Sequence, residues 1–381
     1  MIFGDTTLNI LVIMGFILLI LIFPWLMRIR MISSVTRIVR ELEEMVTESK
    51  KILVDTSQKK GNPSQDPQES VENFMQFFVI PPVNMDPAGI VKKFDQILEL
   101  GEERFHEMVN IIAPDADSEI QSNIIMALKA TIGLNGVAKL VRHNLELSRK
   151  TGNLQLLLSL QMNLPIILRL IKSQFESVKS FSEGKPIGDG LGPLVASLMM
   201  QGYENKNLDE IDDMIMLQRE FQDRNLTIIR AKGPGARIGK VGKISSMLID
   251  KNKIDRIISI DAAIKLEGEK TGTVAEGIGV VIGGPGMDKW FIEEKSISRG
   301  LKMDAIIVKM SPEEAISPMT KNIRDSSQKA LKTLENSIKR SPEGSRILII
   351  GVGNSCGIPH HINHLSQIEI KKEDAKIETR W

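Results

Sequence analysis

Cysteine is nearly absent: Cys356 is the only one in 381 residues. A single thiol excludes an internal disulfide and a cysteine-rich zinc centre, and it fits a reducing compartment. Aromatic residues are scarce too, at 4%, which is too few for a base-stacking surface. Excess charge of either sign is missing, with 49 basic against 48 acidic residues. Without a basic field, no nucleic-acid partner is expected. Charge is missing altogether from Leu8 to Met27, a run dominated by Ile, Leu, Val, Met and Phe. At 1.5 Å rise per residue, about twenty such residues cross the hydrocarbon core of a bilayer.

The surroundings of that run decide what kind of segment it is. No basic stretch precedes it and no Ala-x-Ala-like site follows, so an uncleaved anchor is expected rather than a signal peptide. Pro24 lies near its end, and Trp25 suits the headgroup interface. Asp5 is the only charged side chain before the run, whereas Arg28, Arg30, Arg37 and Arg40 follow it. The positive-inside rule then predicts a single-pass protein of the cell membrane, its N-terminus outside and its main domain cytoplasmic. The lipid bilayer, met through residues 8–27, is the first expected partner.

Beyond the anchor, Val35, Ile38, Leu42, Met45 and Ile52 follow 3–4 spacing, an amphipathic helix over 28–54. It could pair with a second copy, lie on the membrane or pack on its own domain. Residues 55–70, DTSQKKGNPSQDPQES, have linker composition. A helical bundle is expected over 71–184. Asp86-Pro87 marks a helix start, and Ser118 with Gln121 forms a capping-box signal for a helix to about Lys150. Gly152-Asn153 ends that helix, and another runs from Leu154 to about Phe181. Its apolar part, LQLLLSLQMNLPIILRLI, invites a second span. Gln155, Gln161, Asn163 and Arg169 oppose it, since an arginine alone costs about 3 kcal/mol near the bilayer centre. A buried bundle helix kinked at Pro165 is expected instead. The juxtamembrane helix or the bundle is where a protein partner or a homo-oligomer contact would form.

From Lys185 the texture changes to short apolar runs at 226–231, 256–260, 278–283, 304–310 and 346–353. They lack clean polar alternation, so strands covered on both faces are predicted, in a mostly parallel α/β domain over 185–365. Helices are expected at 192–202, 208–221, 238–251, 290–300 and 312–340, and residues 366–381 form a polar tail.

Ligands of open α/β sheets bind beyond the carboxyl ends of the strands, and the glycine-rich loops fall there: IGDGLGP (187–193), AKGPGARIGKVGK (231–243), VAEGIGVVIGGPG (274–286) and GVGNSCGIPHH (351–361). None completes a Walker A loop or a G-x-G-x-x-G fingerprint, and no H-E-x-x-H occurs. Asp189, in a glycine-rich turn before a helix, and Asp261, directly after the run RIISI, are the candidate catalytic acids. Such a pair can share a proton, activate water or hold a divalent metal. The bland reading is an Asx-turn and a strand end. Gly235, Arg237 and Lys240, with Lys232 and Lys243, make a basic glycine-rich loop leading into a helix, a candidate anion or ligand site if its cations do not simply face water. Asn354 is a candidate for ligand positioning. Cys356 with His360 or His361 lacks a third orienting group for nucleophilic catalysis. The segment after Asp261, with Lys265, Glu267, Glu269 and Glu276, is either a flap or an exposed hairpin.

Several of these segments resemble known families. RAKGPGARIGKVGKISSMLIDKNKIDRIISIDAA is similar to a core segment of the spore germination proteases, where a Pro-Gly loop leads through a helix to a strand ending in Ile-Asp-Ala. GIGVVIGGPG and LKMDAIIVKMSPEEA resemble that family's glycine-rich turn and following strand. IGDGLGPLVA resembles the Asp-containing helix start found there and in the hydrogenase maturation endopeptidases, and RILIIGVGN their first strand with its Gly-x-Gly-Asn turn. That strand comes last here, which implies a circularly permuted phosphorylase/hydrolase-like fold; permutation preserves a site when termini lie close. The resemblance implies an acid pair at Asp189 and Asp261, and in the endopeptidases such acids hold a metal together with a histidine that has no clear match here. Over its length the chain also resembles an archaeal family of single-span proteins of undefined function. The expected function is a membrane-anchored hydrolase, endopeptidase-like, with or without a divalent metal. The alternative is a non-enzymatic ligand-binding or scaffold protein at the membrane using the same pocket.

Overall fold

The structure, a computed structural model, describes residues 3–80, 89–202, 208–284, 286–360 and 362–371. The expected helix start at Asp86-Pro87, His361 and the tail beyond residue 371 lie outside the described residues. The chain divides into two compact units, residues 1–48 with 133–172 and residues 49–132 with 173–381.

The first unit is helical. Helix α1 (Phe3–Gly61) contributes its first part, α4 (Ser118–Thr151) its second half and α5 (Leu154–Glu183) its first half. Val35, Val39, Leu42 and Val46 of α1 are buried, as are Leu134, Ala138, Val141 and Leu145 of α4 and Leu157, Leu160 and Leu164 of α5. Each set recurs at three and four residues, the spacing that lets neighbouring helices interdigitate. Ion pairs of Glu43 with Arg142 and of Glu41 with Lys172 (2.8 Å) join α1 to α4 and α5. By length and composition, α1 from Ile10, α4 and α5 are three candidate membrane spans. They differ in exposure: the apolar window of α1 is wholly exposed, while those of α4 and α5 are partly covered. The apolar part of α5, expected to be buried, buries one face only; Leu158, Met162 and Ile166 remain exposed.

The second unit starts with the end of α1. The stretch 55–70, expected as a linker, is helical at both ends: α1 runs to Gly61 and α2 (Pro67–Phe74) opens on Pro67 with Asp66 as its cap. Most of its polar residues are exposed, but two tie it to neighbouring helices. Ser57 is buried and donates to the Ile112 carbonyl of α3 (Ile90–Ile112), and Lys60 reaches the Ser182 carbonyl at 2.7 Å. The cap of α4 is Asp117, whose carboxylate accepts from the N–H groups of Glu119 and Ile120. Gln121, expected to close a capping box with Ser118, instead donates to Asn110.

The α/β domain is built on a sheet of order β1-β2-β3-β7-β4-β6-β5. Its strands are β1 (Asp209–Ile211), β2 (Met214–Phe221), β3 (Arg224–Ala231), β4 (Arg256–Ile264), β5 (Thr273–Ile278), β6 (Lys302–Met310) and β7 (Arg346–Gly351). The four central strands run parallel, but β1, β2 and β5 are antiparallel, so the sheet is mixed where a mostly parallel one was expected. Residues 208–221, read as a helix, form the β1–β2 hairpin. Asp212-Asp213 (φ 43° and 61°) at the β1–β2 turn and Gln222-Asp223 (φ 50° and 59°) at the β2–β3 turn are paired left-handed residues, the geometry that matches strand twist in two-residue hairpins. Residues 278–283, read as a strand, form the loop after β5.

Helices α6 (Leu191–Met199) and α10 (Lys321–Lys339) cover one face. Helices α7 (Val241–Asn252) and α8 (Met287–Ser298) cover the other. A short α9 (Pro312–Ile316) with a Ser311 capping box follows β6. The crossover from β3 through α7 to β4 passes over β7, and that from β6 through α10 to β7 passes over β4. The last strand therefore takes the middle of the sheet, and the carboxyl ends of β3, β7 and β4 lie side by side.

Close backbone approach holds α6 against these ends. A Cβ at Gly192 would lie 2.1 Å from the Val352 carbonyl oxygen and 2.5 Å from that of Ile260. Gly192→Ala is expected to destabilise the full chain by about 2–3 kcal/mol, the scale of core overpacking. Gly136→Ala in α4, where a Cβ meets nothing within 4 Å, should instead stabilise by up to about 1 kcal/mol through helix propensity. Urea unfolding of both variants in detergent tests this opposition of sign.

Candidate functional site

Asp189 sits in the 3-10 turn Gly188–Gly190 that feeds into α6. Gly188 N–H donates to the Ser317 carbonyl at 3.0 Å and pins the turn to the segment after α9. The Asn354 backbone N–H donates to Asp189 Oδ2 at 2.9 Å. Gly353, at φ 128°, makes this approach possible, because a Cβ there would lie 2.0 Å from the Asp189 carbonyl oxygen.

Asp261 lies within β4, three residues before its end, and not just after the strand. In register, Ile260 is opposite Gly351, where β7 stops. From Asp261 onward β4 is paired only with β6, so the acid stands where the sheet opens beside the departing β7. Asp261 is 3% exposed. Its Oδ1 accepts from the Ala262 N–H (2.7 Å) and its Oδ2 from the Gly283 N–H (3.0 Å). A Cβ on Gly283, Gly284 or Gly286 would meet nothing within 4 Å, so this glycine-rich loop borders open space next to the acid.

The two expected acids are brought together electrostatically. Burial first, and then the charge of Asp189, push Asp261 up to about 8 against the opposing pull of its two backbone donors. Asp189 is also raised, by burial, with the Asn354 N–H opposing. The charge of Asp189 thus disfavours ionisation of Asp261, so the two acids differ in how readily they lose a proton. A divalent cation fits less well. Among the described residues no group of three or more His, Cys, Asp or Glu side chains could hold a metal. A pair in which one acid keeps its proton at neutral pH, and accepts backbone N–H on both oxygens, does not complete a site.

The candidate anion loop is not free. Lys240 pairs with Glu99 at 3.1 Å, and Lys243 with Asp95 and Glu99, both at 2.7 Å. Those lysines, Lys243 foremost, hold Glu99 below its usual range. Arg237 is buried, pairs with Asp213 at 3.2 Å and donates to the Ser118 carbonyl at 2.7 Å. The Gly235 carbonyl accepts from Ser355 Oγ at 2.7 Å. These residues lace the loop to the helices and to the 354–357 turn. Asn354 is buried; its Oδ1 accepts from the Cys356 N–H at 2.9 Å, and its Nδ2 has no hydrogen-bond partner. Cys356 is buried, with its thiol pushed up to about 12 by burial, which removes it as a nucleophile.

Sequence reasoning missed three contributors. Arg230 is fully buried and donates to the carbonyls of Ala231 (2.8 Å), Ile358 (3.0 Å) and Pro359 (2.7 Å) and to Ser197 Oγ. Burial lowers it to about 9. The one charge inside the apolar run LTIIRA was the available signal. Asn123 of α4 accepts from the Ala236 N–H at 2.8 Å, which nothing local announces. Gly283 lay in a quoted glycine cluster without an assigned role. A separate groove lined by Arg219, Asn225, Thr227, Asn252 and Arg346 opens at the opposite edge of the sheet, where β3 and β7 begin, away from the acids.

Two family models match the chain. One, described as protein of unknown function (DUF1512) N-terminal domain, covers residues 9–184; the other, domain of unknown function (DUF1512) C-terminal, covers residues 187–359. They meet between the end of α5 and the Asp189 turn. No curated protein and no solved structure matches the chain.

Because Asp261 is raised in the folded state, the native protein binds more protons than the unfolded chain between about pH 4 and 8. Its stability should therefore fall as pH rises through that window, by roughly 1 kcal/mol per pH unit where the difference is full. In Asp261→Asn the share of the slope carried by Asp261, which extends to about pH 8, should be lost, while the share from Asp189, also raised by burial, remains. Urea midpoints measured from pH 4.5 to 8.5 on both proteins check it; parallel profiles would show that Asp261 ionises normally.

Proposed function

The chain belongs to the DUF1512 family, carrying its N-terminal and C-terminal domains in order, and we propose that it is a membrane-anchored hydrolase of the endopeptidase type. Residues 8–27 hold it in the bilayer, with the N-terminus outside and the α/β domain in the cytoplasm. The observation that carries the reading is the position of Asp261: buried, raised to about 8, coupled to Asp189 and bordering open space where β7 ends. Two carboxyl groups of unequal protonation are what acid–base hydrolysis requires.

The roles follow from the environments. Asp189 keeps part of its surface open and has one oxygen anchored by an N–H, so it is the member that ionises first and takes a proton from the attacking water. Asp261 keeps its proton at neutral pH and gives it to the substrate carbonyl oxygen as the water oxygen bonds to the carbonyl carbon. On collapse the scissile C–N bond breaks, the amine leaves with the proton held on Asp189, and one hydroxyl of the tetrahedral intermediate returns its proton to Asp261 as the product carboxyl forms, which restores both acids. The unpartnered Asn354 Nδ2 supplies a donor for positioning substrate. The permuted-protease resemblance is supported by the same geometry: the Gly-x-Gly-Asn turn of the last strand reaches the Asp-containing turn through the Asn354 N–H.

The test is peptide turnover by the full chain in detergent, followed by mass spectrometry. Asp189→Asn and Asp261→Asn should each lower turnover at least 100-fold. The wild-type rate should fall above about pH 8, as Asp261 loses its proton. Peptides bound but not cleaved, equally by wild type and both variants, would establish the ligand-binding alternative and end the hydrolase reading.

A further inference from the structure

Past the candidate span, α1 carries Arg28, Arg30, Arg37 and Arg40 before its first acid, Glu41. Glu41 and its neighbour Glu43 are both engaged, by Lys172 and Arg142. Glu44 is the next carboxylate on the helix, one turn past Arg40, so Arg28, Arg30 and Arg37 have no acid before it on this stretch that is not already engaged. Arg37 and Arg40 are exposed and form no ion pair among the described residues. Arg149, at the end of α4, pairs with Glu146 at 2.8 Å through one guanidinium nitrogen and donates to Thr36 Oγ1 at 2.7 Å through the other, and Arg28 donates to the Arg149 carbonyl at 3.3 Å. The α4–α5 turn is thereby drawn against α1, with Gly152 beside the Arg28 guanidinium.

Between them lies a groove lined by Arg37, Arg40 and Arg149, by the hydroxyls of Ser33 and Thr36, and by Ile29 and Ile32. Its composition is graded. The end nearer the span is apolar, continuous with the exposed Ile10–Met27 surface and flanked by exposed Leu154 and Leu158 of α5; the far end is cationic and hydroxyl-rich. Ser33 stands about 9 Å along the axis past Met27 at 1.5 Å per residue, just outside the hydrocarbon core, and long arginine side chains extend toward that layer. Phosphate is the anion that several arginines and hydroxyls recognise together, and an apolar floor leading toward the membrane suits an acyl chain.

We propose that this groove binds the headgroup of an acidic phospholipid, with Arg37, Arg40 and Arg149 around the phosphate and Ile29 and Ile32 under the first acyl carbons. This goes beyond the hydrolase reading and does not rest on it. Its placement at the bilayer surface, though not the headgroup contacts themselves, rests on residues 8–27 entering the bilayer.

The full chain is purified in a mild non-ionic detergent and offered phosphatidylglycerol, phosphatidylcholine or inorganic phosphate at matched ionic strength. Retained lipid is read by native mass spectrometry and stabilisation by thermal unfolding. Phosphatidylglycerol should be retained at least tenfold better than phosphatidylcholine and should raise the unfolding temperature, with both effects fading as salt rises. Arg37→Ala/Arg40→Ala should lose the preference while keeping the lipid-free unfolding temperature, since neither residue has a partner to lose. Arg142→Ala, which removes a paired arginine of the same bundle, should retain it. Equal retention of the two lipids, equal stabilisation by inorganic phosphate, or an undiminished preference in the double variant would each overturn the proposal. Flotation of the full chain on neutral vesicles tests the anchor separately: if the chain fails to float while the lipid preference persists, the bilayer reading falls and the headgroup site stands.

Discussion

The candidate site depends on how closely the start of α6 approaches the ends of β4 and β7. Gly192 is wedged between the carbonyls of Val352 and Ile260, and Gly353 against the carbonyl of Asp189. With no side chains between these backbones, the Asn354 N–H reaches the Asp189 carboxylate and the Val352 N–H reaches the Ile260 carbonyl at 2.9 Å. A methyl group at either glycine would push the Asp189 turn off the sheet and separate it from Asp261. The pairing of the acids is thus a consequence of backbone packing, and the raised ionisation of Asp261 follows from the burial that this packing creates.

Much of this was legible in the residues. The central strands are dense runs of β-branched residues, and covering both faces of a sheet leaves little else to read. Asp189 and Asp261 stood out because a carboxylate beside such runs is costly unless it has a task. What escaped detection has a physical cause in each case. The β1–β2 hairpin turns on Asp-Asp and the β2–β3 hairpin on Gln-Asp rather than the Asn-Gly pair that advertises left-handed backbone, and the contiguous apolar MIML of β2 reads equally as a helical turn. The loop at 278–283 is as apolar as a strand, but its Val281 and Gly283 N–H groups go to Ser259 and Asp261 side chains and not to a ladder. The basic loop looked like an anion site because the acids that neutralise it, Asp95 and Glu99, lie more than a hundred residues earlier. Charge balance across such a distance is a tertiary fact that no local window contains.

Those same ion pairs show how the lysines and arginine of the 231–243 loop are used. Surface pairs of this kind add little stability individually, yet Lys240, Lys243 and Arg237 all reach helices of the first half of the sequence. Together with the Asn123 contact to the Ala236 N–H, they fix the loop from outside while Ser355 fixes it from inside. The floor next to the acid pair is held on both sides, and rigid support of this kind is what a preorganised site needs.

Arg230 and Asp261 are both buried near this edge of the sheet, and the fold treats them differently. Arg230 is surrounded by carbonyls and a hydroxyl; every strong interaction it makes is one that a structural clamp would make, and its charge is solvated by dipoles. Asp261 receives only two backbone donors, too few to offset its burial and the neighbouring Asp189 charge, so it stays protonated. If its role were purely structural, an asparagine would form a similar hydrogen bond without the cost of an ionisable group in a dry site, and the second acid would be superfluous. A carboxyl kept neutral by burial, with a partner able to ionise beside it, is the arrangement on which the proposed proton transfer rests.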